Sequence, residues 1–395
     1  MDLILPDAPW RTRPGLAGLC AALGAEAREA RFVGGAVRDT LLGNDVADID
    51  VATVHPPDRV LALLKDAGIK AVPTGLTHGT ITAVTEGGPV EVTTLRCDLV
   101  TDGRHATVAF GTDWQADAAR RDFTINALYA DPIGGAVLDW FGGIDDLREG
   151  RVRFIGDPLR RIAEDHLRIL RFFRFLARFG SEPDADGLAA CAARANDLMA
   201  LSRERIASEV LRLLVARRAP EVVALMIASG IFAPVLPEVS DASLLTTLAA
   251  REAAAAVTPD PIRRLAALLP PDPGIAADIG ARLKLSNAQR KQLESAARRD
   301  TLPPRALGYR LGVAGAIDRL LLAGEDIATL RDWTPPTLPI TGGALVAMGL
   351  DRGPDVAAAL RRVEDRWIEE GFPDAARVEE IARAEVLQRR LASSA

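Results

Sequence analysis

The run Arg31-Phe32-Val33-Gly34-Gly35-Ala36-Val37-Arg38-Asp39, followed by Asp48-Ile49-Asp50-Val51, decides the reading of this chain. An apolar strand enters a Gly34-Gly35 turn. A helix start follows with Arg38 and Asp39, then a second short strand with two aspartates one residue apart. Residues i and i+2 of a strand share a face, so this spacing sets the Asp48 and Asp50 carboxylates side by side. Adjacent anions repel unless a cation sits between them, and a hard divalent ion with oxygen ligands is the natural partner. Paired glycines before a helix leave backbone N–H groups open to a phosphate. Metal-holding aspartates beside a phosphate cradle point to phosphoryl or nucleotidyl transfer. Singly, D-x-D also suits a solvated strand end, and Gly-Gly a plain tight turn. Together, with Val37-Arg38-Asp39 between them, they are far more specific.

Composition bounds the rest. At 395 residues the chain can hold two or more domains. Apolar residues make up 48% and aromatics 5%, which predicts helices rich in Ala and Leu. No stretch reaches the roughly 18 apolar residues a membrane span needs. The N-terminus lacks the basic start and apolar core of a signal peptide. Cys20, Cys97 and Cys191 are widely spaced and form no C-x-x-C pattern, so a disulfide framework is not expected and a reducing cytoplasm is. The net charge of −6 argues against indiscriminate nucleic-acid binding but allows a local basic patch. Only Lys65, Lys70, Lys284 and Lys291 are lysines; the remaining basic residues are arginine. A GC-rich genome explains that bias, and so does a need for planar forks on phosphates and base edges.

Strand patterns fall at 31–33, 47–52, 79–84, 89–95 and 136–139, and helical ones near 15–29, 36–42 and 56–67. They predict an α/β domain with a small mixed sheet. Residues 142–156 read as a loop-rich junction. Beyond Asp157 the patterns are helical to the end, with Pro/Gly breaks between them. Asp157 as N-cap, Pro158 at the first helical position and Gly180 as stop frame a neck helix. Ile162, Ile169, Phe173 and Leu176 give it a buried stripe. Arg161, Glu164, Asp165, Arg168 and Arg171 occupy another face, which by itself suits a solvated charged surface. In Asp117–Leu128, Arg120 and Arg121 can face triphosphate oxygens. Asp122 and Asn126, at i and i+4, share a helix face and can bond a ribose 2′-hydroxyl.

The G-G-A-V-R-D and D-x-D stretches, Arg120-Arg121-Asp122-Phe123-Thr124-Ile125-Asn126-Ala127-Leu128 and Glu164-Asp165-His166-Leu167-Arg168 together resemble the polymerase-beta-like nucleotidyltransferase superfamily. Within it they are most similar to the class II CCA-adding tRNA nucleotidyltransferases and bacterial poly(A) polymerases. The resemblance is strong over 30–215 and weak over 330–370. It implies an α+β protein: an N-terminal polymerase-beta-like α/β catalytic head (1–145), an α-helical base-selecting neck (146–225) and an α-helical tRNA-binding body and tail (226–395). It also implies that Asp48 and Asp50 hold Mg²⁺, with Glu91 on the 90–96 strand as a third carboxylate. Gly34, Gly35, Arg38, Asp39, Arg120, Arg121, Asp122 and Asn126 would bind the nucleotide. Asp165 and Arg168 would read the Watson–Crick edge of CTP or ATP, with Glu164 holding the arginine and Arg161 and Arg171 beside them.

Cytosine and adenine each present an amine beside a ring acceptor, so a carboxylate and a guanidinium can select both. The 74–80 segment, with His78 and Thr80, resembles the family's G-x-x-H-G-T element. Residues 97–116, including Arg104, resemble its flexible loop. Residues 202–210 resemble its last motif, with Ser202 as cap and Arg203, Glu204, Arg205 and Glu209 bracing the neck. In the 339–354 tail segment Ala344 replaces the usual aspartate. The implied activity is addition of C, C and A to the tRNA acceptor end from CTP and ATP. A poly(A) polymerase, a partial CC- or A-adding enzyme and a non-catalytic RNA-binding protein remain as alternatives.

Overall fold

The structure is a computed structural model that describes residues 3–102, 105–299 and 302–393. Arg104 lies outside the described residues. The chain divides into two compact units, 1–240 and 241–395.

The first unit begins with α1 (Leu16–Ala22), β1 (Ala30–Val33), α2 (Gly35–Leu41), β2 (Asp50–Thr53) and α3 (Pro57–Asp66). The strands β3 (Lys70–Gly75), β4 (Thr80–Thr85) and β5 (Gly88–Thr94) follow. Next come β6 (Arg96–Asp102), β7 (His105–Phe110), α4 (Trp114–Ala119), β8 (Tyr129–Ala130), β9 (Val137–Leu138) and α5 (Gly143–Glu149). Seven of the described strands form one sheet in the order β3-β4-β5-β2-β1-β8-β9. Its neighbours are antiparallel except β2 and β5, which run parallel with Asp50 opposite Glu91 and Val51 opposite Val92. The parallel step arises because α3, β3 and β4 intervene between β2 and β5. Val33, Ala52, Leu95, Ala118, Ala127, Tyr129 and Ile155 form a core on the sheet.

Several sequence expectations need correction. The 15–29 helix stops at Ala22, since Gly24 at φ +77° and a 3₁₀ turn at Ala25–Ala27 end it. β3 carries no strand pattern in the sequence, since it holds Pro73 and is mostly exposed; an edge strand tolerates both. Within 97–116 the described residues carry a paired ribbon where a loop is expected: β6 and β7 pair with Arg96 opposite Phe110 and Asp102 opposite His105. That ribbon stands outside the main sheet, so neither strand carries the alternation that sheet burial imposes. The 142–156 junction contains the short helix α5.

The rest of this unit comprises α6 (Pro158–Glu164), α7 (Arg168–Phe179), α8 (Ala185–Ala193), α9 (Arg203–Leu214) and α10 (Ala219–Ala228). Asp157 caps α6 through the Leu159 N–H, and Ser202 caps α9 through the Arg205 N–H. The neck is not one helix: Asp165 adopts φ −151°, ψ 106°, which ends α6. Ile162, Ile169, Phe173 and Leu176 are buried as the stripe predicts. Phe123 packs on Phe154 and Phe175 with ring centroids 4.9 and 5.3 Å apart, and Phe154 stacks on Phe172 at 5.6 Å. Each such pair contributes about 0.5–1.5 kcal/mol beyond its area. They fix α7 against the 120–128 segment and against Phe154, which is bridged to Phe123.

The second unit comprises α11 (Ser243–Ala254), α12 (Pro261–Ala266), α13 (Pro273–Arg282), α14 (Asn287–Ala297), α15 (Pro304–Ala323), α16 (Gly342–Ala347), α17 (Pro354–Glu369) and α18 (Ala375–Ser393). Arg263 and Arg264 are buried and paired with Glu252, and Arg263 also with Asp318. Leu345, Val363, Trp367, Val378 and Ala382 build the core of the tail. No described helix is long and apolar enough to cross a membrane.

Candidate active site

The turn after β1 is possible because Gly34 takes φ +66°, a conformation that strains a residue with a side chain. Its N–H donates to the Leu128 carbonyl at 3.0 Å, which ties the turn to the 120–128 segment. Gly35 opens α2, whose next turn buries Arg38 and Asp39.

Asp50 begins β2, while Asp48 lies in the irregular segment before it. The D-x-D pair therefore straddles the start of the strand instead of sharing one. Asp48 is exposed and Asp50 half-buried. Glu91 sits directly opposite Asp50 on β5, and its N–H donates to the Ile49 carbonyl at 3.0 Å. Burial pushes the Asp50 carboxyl up to about 6, with Glu91 and Asp48 adding to the rise and Arg121 and Arg38 opposing it. Asp48 and Glu91 thus both act on Asp50 without meeting it at a common point. Among the described residues no group of three or more His, Cys, Asp or Glu side chains converges on a point. The donor set is two oxygen-bearing aspartates, with Glu91 adjacent. That fits a hard divalent cation that takes its other ligands from water and substrate phosphates.

A chain of charged hydrogen bonds runs from α2 to α7. Arg38 donates from Nε to Asp39 at 2.9 Å and from Nη1 to the Asn126 Oδ1. Asn126 Nδ2 donates to Asp122 Oδ1 at 3.0 Å. Arg171 donates to Asp122 Oδ2 from Nε at 2.7 Å and from Nη2 at 2.6 Å. Arg178 closes the circuit by donating to Asp39 Oδ2 at 3.2 Å. Arg38 also lies over the Phe179 ring, 4.3 Å from its centroid. Asp122 and Asn126 do not share an α-helix face; Asn126 closes a single 3₁₀ turn at Thr124–Asn126 that begins just after Asp122 and Phe123, and its side chain meets Asp122. Burial alone would raise the Asp122 carboxyl. The Arg171 ion pair and the Asn126 hydrogen bond outweigh it and hold the group below the usual carboxylate range.

Arg120 and Arg121 share one buried acid that the sequence reading did not single out. Asp117 Oδ1 accepts from Arg120 Nε at 2.8 Å, and Oδ2 accepts from the Tyr129 hydroxyl at 2.5 Å and Arg121 Nη2 at 3.3 Å. Burial raises this carboxyl, but Arg121 and Arg120 overcome it and bring it down to about 2. Two guanidiniums against one carboxylate leave a surplus positive charge held in a fixed orientation.

At the neck, Glu164 Oε2 accepts from Arg168 Nη1 at 2.8 Å, and Oε1 pairs with Arg161 at 3.1 Å. Arg161 donates to the Ala119 carbonyl at 3.1 Å and Arg168 to the Arg120 carbonyl at 2.9 Å. Asp165, displaced by the helix break, leaves this face. It accepts from Arg205 Nη2 at 3.0 and 3.1 Å and stays half-exposed. Glu209 is buried and accepts from Arg174 at 2.5 Å. His78 is exposed, and Thr80 bonds Thr93 through their hydroxyls at 3.2 Å. A cleft of about 560 Å³ has Asp48 on its wall together with Arg174, Arg178, Arg212 and Arg217. None of these arginines stood out in the sequence. The signal available was the three-residue recurrence Arg168, Arg171, Arg174 continuing to Arg178 on one side of α7.

Two family models match the chain: a poly(A) polymerase head domain over residues 30–153, and a probable RNA- and SrmB-binding site of polymerase A over 182–243. The mitochondrial CCA tRNA nucleotidyltransferase 1 of Homo sapiens is 34% identical over 398 residues, covering 94% of this chain and 90% of that one. The CCA-adding enzyme of Bacillus pumilus is 41% identical over 191 residues, 48% of this chain and 46% of its own. The crystal structure of the Bacillus stearothermophilus CCA-adding enzyme in complex with CTP superposes with a TM-score of 0.77 at 26% identity, over 97% of this chain and 99% of that one.

Proposed function

The chain belongs to the family of CCA-adding tRNA nucleotidyltransferases, and from that premise we propose how its residues divide the work of adding C, C and A to a tRNA acceptor end from CTP and ATP. It is a nucleotidyltransferase. In this reading the tRNA 3′-hydroxyl attacks the α-phosphorus of the bound nucleotide, the bond to the β-phosphate oxygen breaks, and pyrophosphate leaves. No covalent enzyme intermediate is needed.

Asp48 and Asp50 are assigned to divalent metal, Mg²⁺ by their hard oxygen donors, with Glu91 completing the carboxylate set from β5. Bound there as a pair, such ions supply charge stabilisation to the attacking oxygen and to the leaving pyrophosphate. Gly34 and Gly35 leave room for a phosphate against the chain, and Arg38, Arg120 and Arg121 bring positive charge to it. Asp39 holds Arg38, and Asp117 holds the other two. Asp122 and Asn126 orient each other for the ribose. Arg168, held by Glu164 and braced beside Arg161 and Arg171, is positioned to donate to the base's ring acceptor. Asp165, held by Arg205, is assigned to accept from its exocyclic amine. Uracil and guanine present a carbonyl where Asp165 needs a donor, so they are rejected.

The observation that carries this reading is the Arg168 hydrogen bond to the carbonyl of Arg120. It joins the residue assigned to the base with the segment assigned to the triphosphate. In domain terms, residues 1–145 form the catalytic head, 146–225 the base-selecting neck and 226–395 the tRNA-binding body and tail. We place the activity in the cytoplasm, a reducing compartment that suits the free, buried Cys20 and Cys191.

The test offers purified protein a tRNA transcript lacking CCA, Mg²⁺ and each labelled nucleotide singly and together. Product length is read at single-nucleotide resolution. Growth by three residues that then stops, with CTP required before ATP, is expected. Long A-tails on any RNA would instead identify a poly(A) polymerase, and arrest after two C residues a CC-adding enzyme.

A further inference from the structure

Nucleotidyl transfer brings two phosphate-bearing substrates to one metal-holding pair, so two separate positive surfaces are required. Arg38 and Arg121 act on Asp50. Asp48 instead shares a cleft with Arg174, Arg178, Arg212 and Arg217. The two walls adjoin where Arg38 and Arg178 share Asp39, but the second is gathered on the cleft that Asp48 lines.

The arginines of the second wall are not equivalent. Arg174 is paired with Glu209 and Arg178 with Asp39. Arg212, in the last turn of α9, and Arg217, just beyond it, are exposed and carry no ion pair or hydrogen bond among the described residues. Arg212 also lies near enough to repel the Arg174 guanidinium. Unneutralised like charges gathered around a cavity are unfavourable unless an anion enters. The cleft volume of about 560 Å³ lies within the roughly 300–1,000 Å³ typical of small-ligand sites.

Which anion enters follows from position. Arg178 lies ten residues along α7 from Arg168, about 15 Å away at 1.5 Å per residue. The base-reading end of the neck is therefore remote from this wall. Arg212 and Arg217 also fall inside the 182–243 segment that matches a probable RNA-binding site. We propose that Arg212 and Arg217 bind the last phosphodiesters of the RNA primer, holding its 3′-hydroxyl towards Asp48. This rests on the nucleotidyl-transfer reading above and assigns the RNA end its own residues, distinct from those of the triphosphate.

The experiment compares the wild type with the double variants Arg212→Ala/Arg217→Ala and Arg212→Lys/Arg217→Lys. Binding of a tRNA transcript lacking CCA is measured without nucleotide across a salt series, and KM is measured separately for tRNA and CTP. The alanine variant should lose about tenfold or more in tRNA affinity, and the slope of log affinity against log salt should fall by about one to two. Its KM for tRNA should rise while that for CTP stays unchanged, and the lysine variant should recover much of the loss. Unaltered melting of these surface variants checks that they fold. Unchanged tRNA affinity and slope would overturn the proposal, as would a rise confined to the KM for CTP. A wild type that incorporates nothing would sink the enzymatic reading instead, while the binding arm would still judge the arginine wall.

Discussion

Arg171 holds the Asp122 carboxylate through two nitrogens, Nε at 2.7 Å and Nη2 at 2.6 Å, across the boundary between the 120–128 segment and α7. A fork on a single carboxylate fixes direction as well as distance. Asp122 passes that orientation to Asn126, and Asn126 passes it to Arg38. The neck thereby sets the geometry of residues assigned to ribose and phosphate.

Removing Arg171 would leave a buried carboxylate with only Asn126 and the Phe123 N–H as partners. Breaking a buried pair in this way costs about 3–5 kcal/mol. Arg171→Ala is expected to lower the urea midpoint by a corresponding amount and to reduce kcat. Arg171→Lys should fall between, since it restores the charge without the fork. A midpoint unchanged in the alanine variant would refute this account of the pair.

Asp117 yields a pH dependence. Its carboxyl is held at about 2 against the ordinary 3.8. Its stabilisation is therefore complete above the ordinary value and is lost as the pH falls through about 2. A shift of this size is worth about 2–3 kcal/mol. The stability difference between wild type and Asp117→Asn should be constant from neutral pH down to about 5 and shrink steadily below 4. Urea melts at a series of pH values measure it, and a difference that does not shrink in acid contradicts the assignment.

Asp50 has the opposite sign. Its carboxyl is pushed up to about 6, so its contribution is fully present below 3.8 and is lost as the pH rises through 6. Asp50→Asn should melt higher than wild type at pH 8 without metal. It should also lose the Tm increase that Mg²⁺ produces in the wild type by binding the folded state. Loss of metal-derived charge stabilisation, worth several kcal/mol, should cut kcat by about 10³ or more. Retention of the full Mg²⁺-dependent Tm shift would exclude Asp50 as a ligand.

Arg205 supplies a test of base choice from outside the E-D-H-L-R segment. It is the donor that holds Asp165 at 3.0 Å. Freed from it, Asp165 should read the exocyclic amine less well. Loss of one good base contact is worth about 1–3 kcal/mol of discrimination. The ratio of kcat/KM for CTP to that for UTP should therefore drop about tenfold to a hundredfold in Arg205→Ala. An unchanged ratio with lowered overall activity would reduce Arg205 to a purely structural brace.

The tail arginines show where charge alone misleads. Arg362 and Arg366 give α17 a basic face that would suit RNA phosphates, yet they pair with Glu385 and Glu370. Arg299 likewise donates to the Ala266 carbonyl at 3.2 Å. A basic helix face in the sequence does not reveal which of its charges a neighbouring helix has already taken.

What the sequence determined by itself was local. The Gly34-Gly35 turn, the Asp157-Pro158 and Ser202 helix starts and the buried stripe from Ile162 to Leu176 all follow from conformational preference and periodicity over a few residues. The Glu164–Arg168 contact also lies within that range, since the two are four residues apart. The tertiary structure decided what depends on partners distant in the chain. It set Glu91 opposite Asp50 through a parallel pairing, took Asp165 out of the helix to meet Arg205, and gave Arg120 and Arg121 a shared buried acid. It also gathered four arginines around Asp48. The reason is physical. Burial periodicity specifies which face of an element turns inwards, whereas an arginine on a long side chain takes the carboxylate nearest in space, and chain topology alone decides which one that is.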